Sequence, residues 1–446
     1  MIYVYHTIVA KFGGFSLSDA SKIKTTASII NMDPARRYVV ISSPGERTDD
    51  DIKITDMLYM CHLRFTNREN YQDMLESIHR RFDEIVSGLG IDLDVNSEIK
   101  EIQKSLMLGR SSDYVASRGE FITAKIMAKV LGWEFIDSSD MIFFNDDGSL
   151  NELKTFATTA RILKPLEHAV IPGFYGIMPN GSIKTFTRGG SDTTASIVAR
   201  AVNADLYEKW TDEAEIFCAD PKIINHPKTV ENITYKELHE LSYMGFTVLN
   251  EDAVFPINKA GIPISVRDLN DLNDKGTLIL PELTPDFPRE NTFVCVAGKR
   301  GFRVLHIEKF KLNRDSQFPA KLFSIFARYN IACEHCLTGI DIISLVLKNP
   351  LFDLRREEII SEIKRELNPE LVEVRINMSL ISVIGEGMGT VKGVFAKVFD
   401  ALAGAEVKVK MIDQGSDDLN IILGVDDEDY ERSIKALYNA LILKNA

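Results

Sequence analysis

Cysteine is scarce in this sequence, five in 446 residues, and the number is odd. That excludes a disulfide framework and fits a chain kept in a reducing cytoplasm. Positive charge is in deficit too: 52 Lys and Arg stand against 65 Asp and Glu, a net charge of −13. Such an acidic chain is a poor candidate for general binding to nucleic acid or to an anionic membrane. No apolar run approaches the ~18 residues of a membrane span, so none is expected. The N-terminus lacks the basic and apolar regions of a signal peptide. Catalytic signatures are missing as well. There is no GxxxxGK[ST], no GxGxxG after a strand, no HExxH and no GxSxG. P-loop, dinucleotide, zincin and serine-hydrolase chemistries therefore have no motif to rest on.

What is present is ordinary globular material, 45% hydrophobic and 26% charged. At roughly 150 residues per domain the length allows about three domains. A β-rich run, Ile2–Tyr5 and then Ile8-Val9, ends at Lys11-Phe12-Gly13-Gly14, with a helix expected from Ser18. Tyr38–Ile41 is the next strand, stopped by Ser42-Ser43-Pro44-Gly45. Residues 66–132 read as mostly helical, with apolar residues three and four apart. Ala169-Val170-Ile171 is a further strand. This alternation implies parallel β-α units over the first two-thirds. Prolines 281, 285 and 288 mark a boundary, because proline neither donates to a helix nor tolerates one before it.

Beyond that boundary lies a weak repeat. A shift of 76 residues sets Phe323 on Phe399, Ala327 on Ala403 and Gly339 on Gly415. Each copy reads β-α-β-β-α, the order of a ferredoxin-like unit. Residues Asp429 to Leu443 read as the last amphipathic helix.

Two glycine pairs are the best candidates for chemistry. Lys11-Phe12-Gly13-Gly14-Phe15-Ser16 follows a strand, so its amides and Lys11 suit phosphate oxygens. Arg188-Gly189-Gly190-Ser191-Asp192-Thr193 precedes a helix expected from Ala195, with Ser191, Asp192 and Thr193 as N-cap types. Taken alone, these segments read equally as a tight turn and a capped helix. Trp210-Thr211-Asp212 through Asp220-Pro221-Lys222 places polar groups beside an aromatic ring. Asp49-Asp50-Asp51 reads as a solvated turn. Cys333-Glu334-His335-Cys336 is half a zinc site with no second half, so it reads as repeat packing.

Taken in order, these segments resemble the aspartate kinases of the amino-acid kinase superfamily. Arg118-Gly119-Glu120, Pro172-Gly173-Phe174-Tyr175-Gly176 and Ile262–Arg267 add to the likeness. The resemblance implies an α/β fold: a carbamate-kinase-like three-layer α/β/α sandwich over residues 1–285. Two ferredoxin-like α+β ACT units then follow, over 290–370 and 371–446. It implies phosphoryl transfer from ATP, with Mg2+, to the β-carboxylate of L-aspartate. Lys11 would bridge phosphates and Asp192 would orient it. Gly13, Gly14, Ser16, Ser42, Gly189 and Gly190 would cradle the phosphates, and Thr211, Asp212, Phe217 and Lys222 would line the nucleotide site. Thr48, Glu120, Phe174, Arg188 and Ser191 would hold aspartate. An effector amino acid, lysine or threonine, would meet Phe318, Pro319, Ala332, Cys333 and Glu334. A homodimer or dimer of dimers through the ACT units is implied, with no nucleic-acid or membrane partner. The chain departs from the family pattern at Phe15, Phe217, Lys222, Thr247 and Asn250. Two other readings stay open: a kinase of another amino-acid carboxylate, and a non-enzymatic amino-acid sensor.

Overall fold

The structure is a computed structural model describing residues 5–443, apart from 49, 188, 213–215, 247–248, 250, 273–274, 284–290 and 416–417. The chain forms two compact units. The first comprises Met1–Ile216, Glu231–Leu238 and Thr247–Pro288; the second comprises Phe217–Val230, His239–Phe246 and Arg289–Ala446.

The first unit begins with β1 (Ile8–Phe12), α1 (Ala20–Asn31) and β2 (Arg36–Ile41). Four helices follow: α2 (Ile54–Thr66), α3 (Gln72–Leu89), α4 (Val95–Met107) and α5 (Ser112–Leu131). Then come β3 (Glu134–Phe135), α6 (Glu152–Leu163) and β4 (Ala169–Pro172). A hairpin of β5 (Tyr175–Ile177) and β6 (Ile183–Thr185) leads to α7 (Gly190–Val202) and β7 (Leu206–Thr211). The rest is β8 (Asn232–Thr234), α8 (Tyr235–Tyr243), α9 (Glu251–Ala260), β9 (Ile264–Asp268) and β10 (Thr277–Leu280). Helix α8 contributes residues to both units.

Eight strands make one sheet in the order β3-β4-β2-β1-β7-β9-β10-β8. Neighbours run parallel except β9 and β10. The β-branched run of β1 is buried on both faces, as a parallel strand under two helical layers must be. Ala10, Phe12, Val39 and Ile41 face a core built with α1 to α5. The alternate residues, Val9 and Lys11, face α7. Strand alternation thus puts Lys11 in the interior on the α7 side. Local signals set the helix ends: Asp19, Ser111 and Asn151 cap α1, α5 and α6 with side-chain oxygens.

The second unit contains β11 (Cys295–Glu308), α10 (Gln317–Arg328), β12 (His335–Thr338), β13 (Ile342–Leu347) and α11 (Pro350–Leu367). It continues with β14 (Leu371–Ile384), α12 (Val394–Gly404), β15 (Met411–Asp413), β16 (Asn420–Asp426) and α13 (Tyr430–Tyr438). The chain then passes into a wider π-type turn over Asn439–Leu443. The repeated β-α-β-β-α order appears twice. Its strands form one six-stranded sheet, β12-β13-β11-β14-β16-β15.

Strands β11 and β14 are both 14 residues long because each serves two repeats. The later half of β11, Phe302–Glu308, pairs with β13 and with the start of β14. Its early half, Cys295–Lys299, pairs with the end of β14, which in turn pairs with β16. Each repeat thus gains its fourth strand from the other. The register shifts between Lys299 and Val304 mark the handover.

Candidate active site

Lys11 and Asp192 meet inside the first unit. Lys11 Nζ lies 3.1 Å from Asp192 Oδ1, with both side chains about 10% exposed. The Tyr207 hydroxyl donates to the same oxygen at 3.0 Å. Lys209 Nζ stands 3.7 Å from Oδ2. Burial alone would push the Asp192 carboxyl up. Lys11, then Lys209, then the donated hydrogen bonds outweigh it and hold the carboxyl below its ordinary range. Asp192 is therefore an anion between two ammonium groups.

Asp192 sits in the first turn of α7, and here the expectation from sequence needs correction. The helix opens at Gly190 rather than Ala195, and Ser191, Asp192 and Thr193 are not its N-caps. The N-cap is Gly189, at φ 74°, with no side-chain cap. Glycine adopts that left-handed conformation without a Cβ clash, so the helix starts earlier. Asp192 is thereby turned inward to the lysine, and the N-cap Gly189 offers the first amides of α7 no side-chain acceptor. Ser191 is buried at 9% exposure. Arg188 lies outside the described residues.

Phe174 has φ 85°, a strained value for an aromatic residue. Its amide donates to Thr194 Oγ1 at 3.0 Å, and its carbonyl accepts from the Phe186 amide at 2.8 Å. These two bonds hold the strain in place beside α7. A Cβ at Gly190 would come 2.7 Å from the Phe174 ring.

The first unit also contains a cavity of about 490 Å³ lined by Gly14, Phe15, Ser42–Glu46, Lys53, Thr55, Glu120 and Asp212. Glu120 is its buried carboxyl. Oε1 accepts from Thr55 at 3.4 Å, whereas the buried Oε2 has no partner. Burial pushes its carboxyl up to about 8, against hydrogen bonds that favour the ionised form. A ligand ammonium would supply the missing donor. Ser16, expected at the phosphates, donates to the Gly13 carbonyl at 2.6 Å and so fixes the glycine loop. Phe15 is 37% exposed and carries Lys22 Nζ 3.4 Å above its ring. Thr48 is exposed, with its carbonyl accepting from the Asp51 amide.

The loop around Gly45 is held from beneath by residues that sequence reasoning missed. Arg81 of α3, 4% exposed, donates to the Gly45 carbonyl at 2.7 Å and to the Ile52 carbonyl at 2.6 Å. Asp51, read from sequence as part of a solvated turn, accepts from the Arg47 amide and guanidinium and lies 3.5 Å from Arg81. Burial raises its carboxyl, but those partners bring it down to about 2. Asp51 is thus an anchor: it holds its neighbour Arg47 and also lies against Arg81, which α3 brings from 30 residues further along the chain.

The amino acid kinase family profile matches residues 6–268, and an ACT-domain profile matches residues 381–441. The chain belongs to the amino acid kinase family. Within it, the chain is an aspartokinase relative. Aspartokinase 3 of Bacillus subtilis is 31% identical, over 96% of this chain and 97% of that one. The crystal structure of Clostridium acetobutylicum aspartate kinase is 43% identical, with TM-score 0.89, covering 98% of this chain and 100% of that one. Escherichia coli aspartokinase III, solved with aspartate and ADP, shares the fold at 24% identity and TM-score 0.71, covering 98% of this chain and 99% of that one.

The remaining expected residues of this aspartokinase fall as follows. Thr211 ends β7 and Asp212 follows it, with the Thr211 hydroxyl donating to Asp212 Oδ1 at 3.4 Å. Phe217 and Lys222 belong to the second unit, where Phe217 bridges to Thr229 and Lys222 donates its amide to Asp220. Thr247 and Asn250 lie outside the described residues. Phe318 and Pro319 lie in the first turn of α10, with Phe318 buried in the core of the first repeat. Ala332, Cys333 and Glu334 precede β12. The Glu334 amide is taken by the Val346 carbonyl, and its carboxylate accepts from Tyr243 at 2.6 Å. Cys333 donates to the His335 carbonyl. Among the described residues no group of three or more His, Cys, Asp or Glu could hold a metal ion, and no helix is long and apolar enough to cross a membrane.

Proposed function

We propose that this aspartokinase transfers the γ-phosphoryl group of ATP to the β-carboxylate of L-aspartate. The observation that carries the reading is that one unit holds two chemically complementary features. One is the cationic Lys11–Asp192–Lys209 cluster under glycine loops. The other is Glu120, with an unpaired buried oxygen beside the cavity.

The chemistry follows from the groups. Aspartate's β-carboxylate is ionised at neutral pH, so the nucleophile needs no general base. One carboxylate oxygen attacks the γ-phosphorus as the bond to the β-phosphate oxygen breaks, giving 4-phospho-L-aspartate and ADP. Catalysis then rests on in-line positioning and on charge neutralisation. Lys11 meets the phosphates, and Asp192 fixes the direction of its ammonium. The amides at the start of α7 and the loop at Gly13-Gly14 would admit phosphate oxygens closely. Gly189, Gly190, Ser16 and Ser42 shape that cradle. Thr211 and Asp212 of the first unit are assigned to the nucleotide. Glu120 receives the α-ammonium of aspartate, and Arg188 pairs with a carboxylate as a guanidinium fork does. Ser191, Phe174 and Thr48 complete that end. Mg2+ fits as an ion riding on the nucleotide phosphates, where it would offset their charge.

The same reading divides the chain into a kinase domain over 1–285 and ACT units over 290–370 and 371–446. It makes the protein a cytoplasmic homodimer, or a dimer of dimers, joined through ACT units. Lysine or threonine would act as feedback effector near Phe318, Pro319, Ala332, Cys333 and Glu334, favouring one kinase conformation over another. A hydroxamate assay with ATP, magnesium and aspartate, repeated with each effector, tests the reaction and its feedback. Acyl phosphate that falls with one amino acid supports both parts. Absence of product from folded protein overturns the reaction.

A further inference from the structure

We propose that Lys209 is a positioning residue of the phosphate site, sharing the Asp192 carboxylate with Lys11 so that the cluster keeps one positive charge in excess. The inference rests on the kinase reading above and deepens it.

Lys11 and Lys209 are direct register partners on the parallel strands β1 and β7. Strand alternation turns both toward α7, while Glu208 and Trp210 go to the other face, where Trp210 stacks on Phe12. Asp192 receives them on different oxygens, Lys11 on Oδ1 at 3.1 Å and Lys209 on Oδ2 at 3.7 Å. Tyr207 donates to Oδ1 without adding charge.

Charge arithmetic gives the reason for a second lysine. Lys11 and Asp192 alone sum to zero, so the anion that aims Lys11 also cancels it. An incoming nucleotide brings several negative charges and gains little from a neutral pair. With Lys209 the three groups sum to +1. Asp192 keeps its orienting role while Lys11 remains available to the phosphates. Burying an ammonium is costly, and the side chain of Lys209 is only 14% exposed. A buried apolar residue would fill this strand position at lower cost. Burial lowers the Lys209 ammonium from its usual range, Asp192 works against that loss, and the like charge of Lys11 adds to it.

A purely structural role, neutralising buried Asp192, predicts a different outcome from a positioning role. The test compares full-length wild type, Lys209→Met, Lys209→Gln and Lys209→Arg. Turnover is read by hydroxamate, and nucleotide affinity by calorimetry with ATP and magnesium in the absence of aspartate. For the Met and Gln variants we expect kcat to fall about 30-fold or more and the ATP Kd to rise about tenfold. The aspartate KM should move less than about threefold, and Lys209→Arg should recover most of the loss. The proposal is overturned if the folded Met and Gln variants keep kcat and ATP affinity within about threefold of wild type. It is also overturned if both substrate constants rise together, or if Arg rescues nothing. Variants that melt early are compared at a temperature below their transitions, and Gln preserves the polar contact if Met does not fold. If wild type gives no hydroxamate while ATP affinity still depends on Lys209, the aspartate reading fails and this one stands.

Discussion

The Gly45 amide donates to the Gly14 carbonyl at 2.8 Å, tying the loop after β2 to the loop after β1. The approach is so close that a Cβ on Gly14 would lie 2.9 Å from the Ser43 carbonyl and 3.0 Å from the Gly45 amide. Both neighbours are backbone and cannot swing away. Gly14→Ala should therefore cost about 1–3 kcal/mol and misplace the phosphate loop. Denaturant midpoints and the ATP KM check this. Gly13→Ala is the contrast, since its Cβ would meet nothing nearer than Lys11 Nζ at 3.7 Å. Equal destabilisation by the two substitutions would contradict the account.

Lys11→Ala should lower turnover roughly 10³-fold, by loss of a cation that meets charge developing in the transition state. A fall of less than tenfold would remove Lys11 from the phosphates. The fold should survive, because removing Lys11 leaves Asp192 with Lys209 and Tyr207 as partners. Unchanged thermal melting beside collapsed turnover is the expected pattern.

Parts of this site were legible in the sequence, and the reason is distance along the chain. Lys11, Gly13, Gly14 and Asp192 stand in short segments where glycine follows a strand or opens a helix, so local pattern marks the segments while the family resemblance supplies the expected roles. Arg81 did not show itself. It follows Arg80 in an amphipathic helix, where a charged residue reads as solvent-facing, and only the loop carrying Gly45 makes its burial sensible. Tyr207 and Lys209 were equally hidden, because alternation along β7 cannot tell which face meets α7. The start of α7 was misplaced because the left-handed turn at Gly189 is a backbone event, while Ser, Asp and Thr advertise caps. In the second unit the repeat order was readable. That one strand serves two repeats was not, since a sequence shows each strand once.

Arg36 and Glu208 form a buried fork on the face away from α7. Arg36 Nε meets Oε2 at 2.6 Å and Nη2 meets Oε1 at 3.2 Å, while Trp210 donates to Oε2 at 2.9 Å. Arg36 also donates to the Ile29 carbonyl at 2.6 Å, so it joins α1 to the sheet. Breaking one side leaves an uncompensated buried charge, at a cost of about 3–5 kcal/mol. Arg36→Met and Glu208→Leu should each destabilise by that order in urea unfolding. The double variant should lose less than the sum, because it strands neither charge. Additive losses would mean the two side chains do not depend on each other.

Glu120 gives the site a pH dependence whose sign is fixed by its burial. Its carboxyl is raised from the ordinary 4.5 to about 8 by desolvation, with backbone hydrogen bonds, then Thr55, then Arg118 opposing. In the unliganded protein it therefore holds a proton at neutral pH that the unfolded chain has released. The folded state binds the extra proton between those two values, so Glu120 subtracts stability as pH rises from about 4.5 to 8. An arriving α-ammonium reverses the balance, because it favours the carboxylate and expels the proton. Aspartate affinity should thus improve as pH climbs toward 8, with release approaching one proton per aspartate bound near pH 7. Calorimetry in buffers of different ionisation enthalpy measures that release directly. Glu120→Gln should abolish it, weaken aspartate far more than ATP, and flatten the pH dependence of stability. Proton release that persists in Glu120→Gln would assign it to another group and leave Glu120 as a buried structural acid.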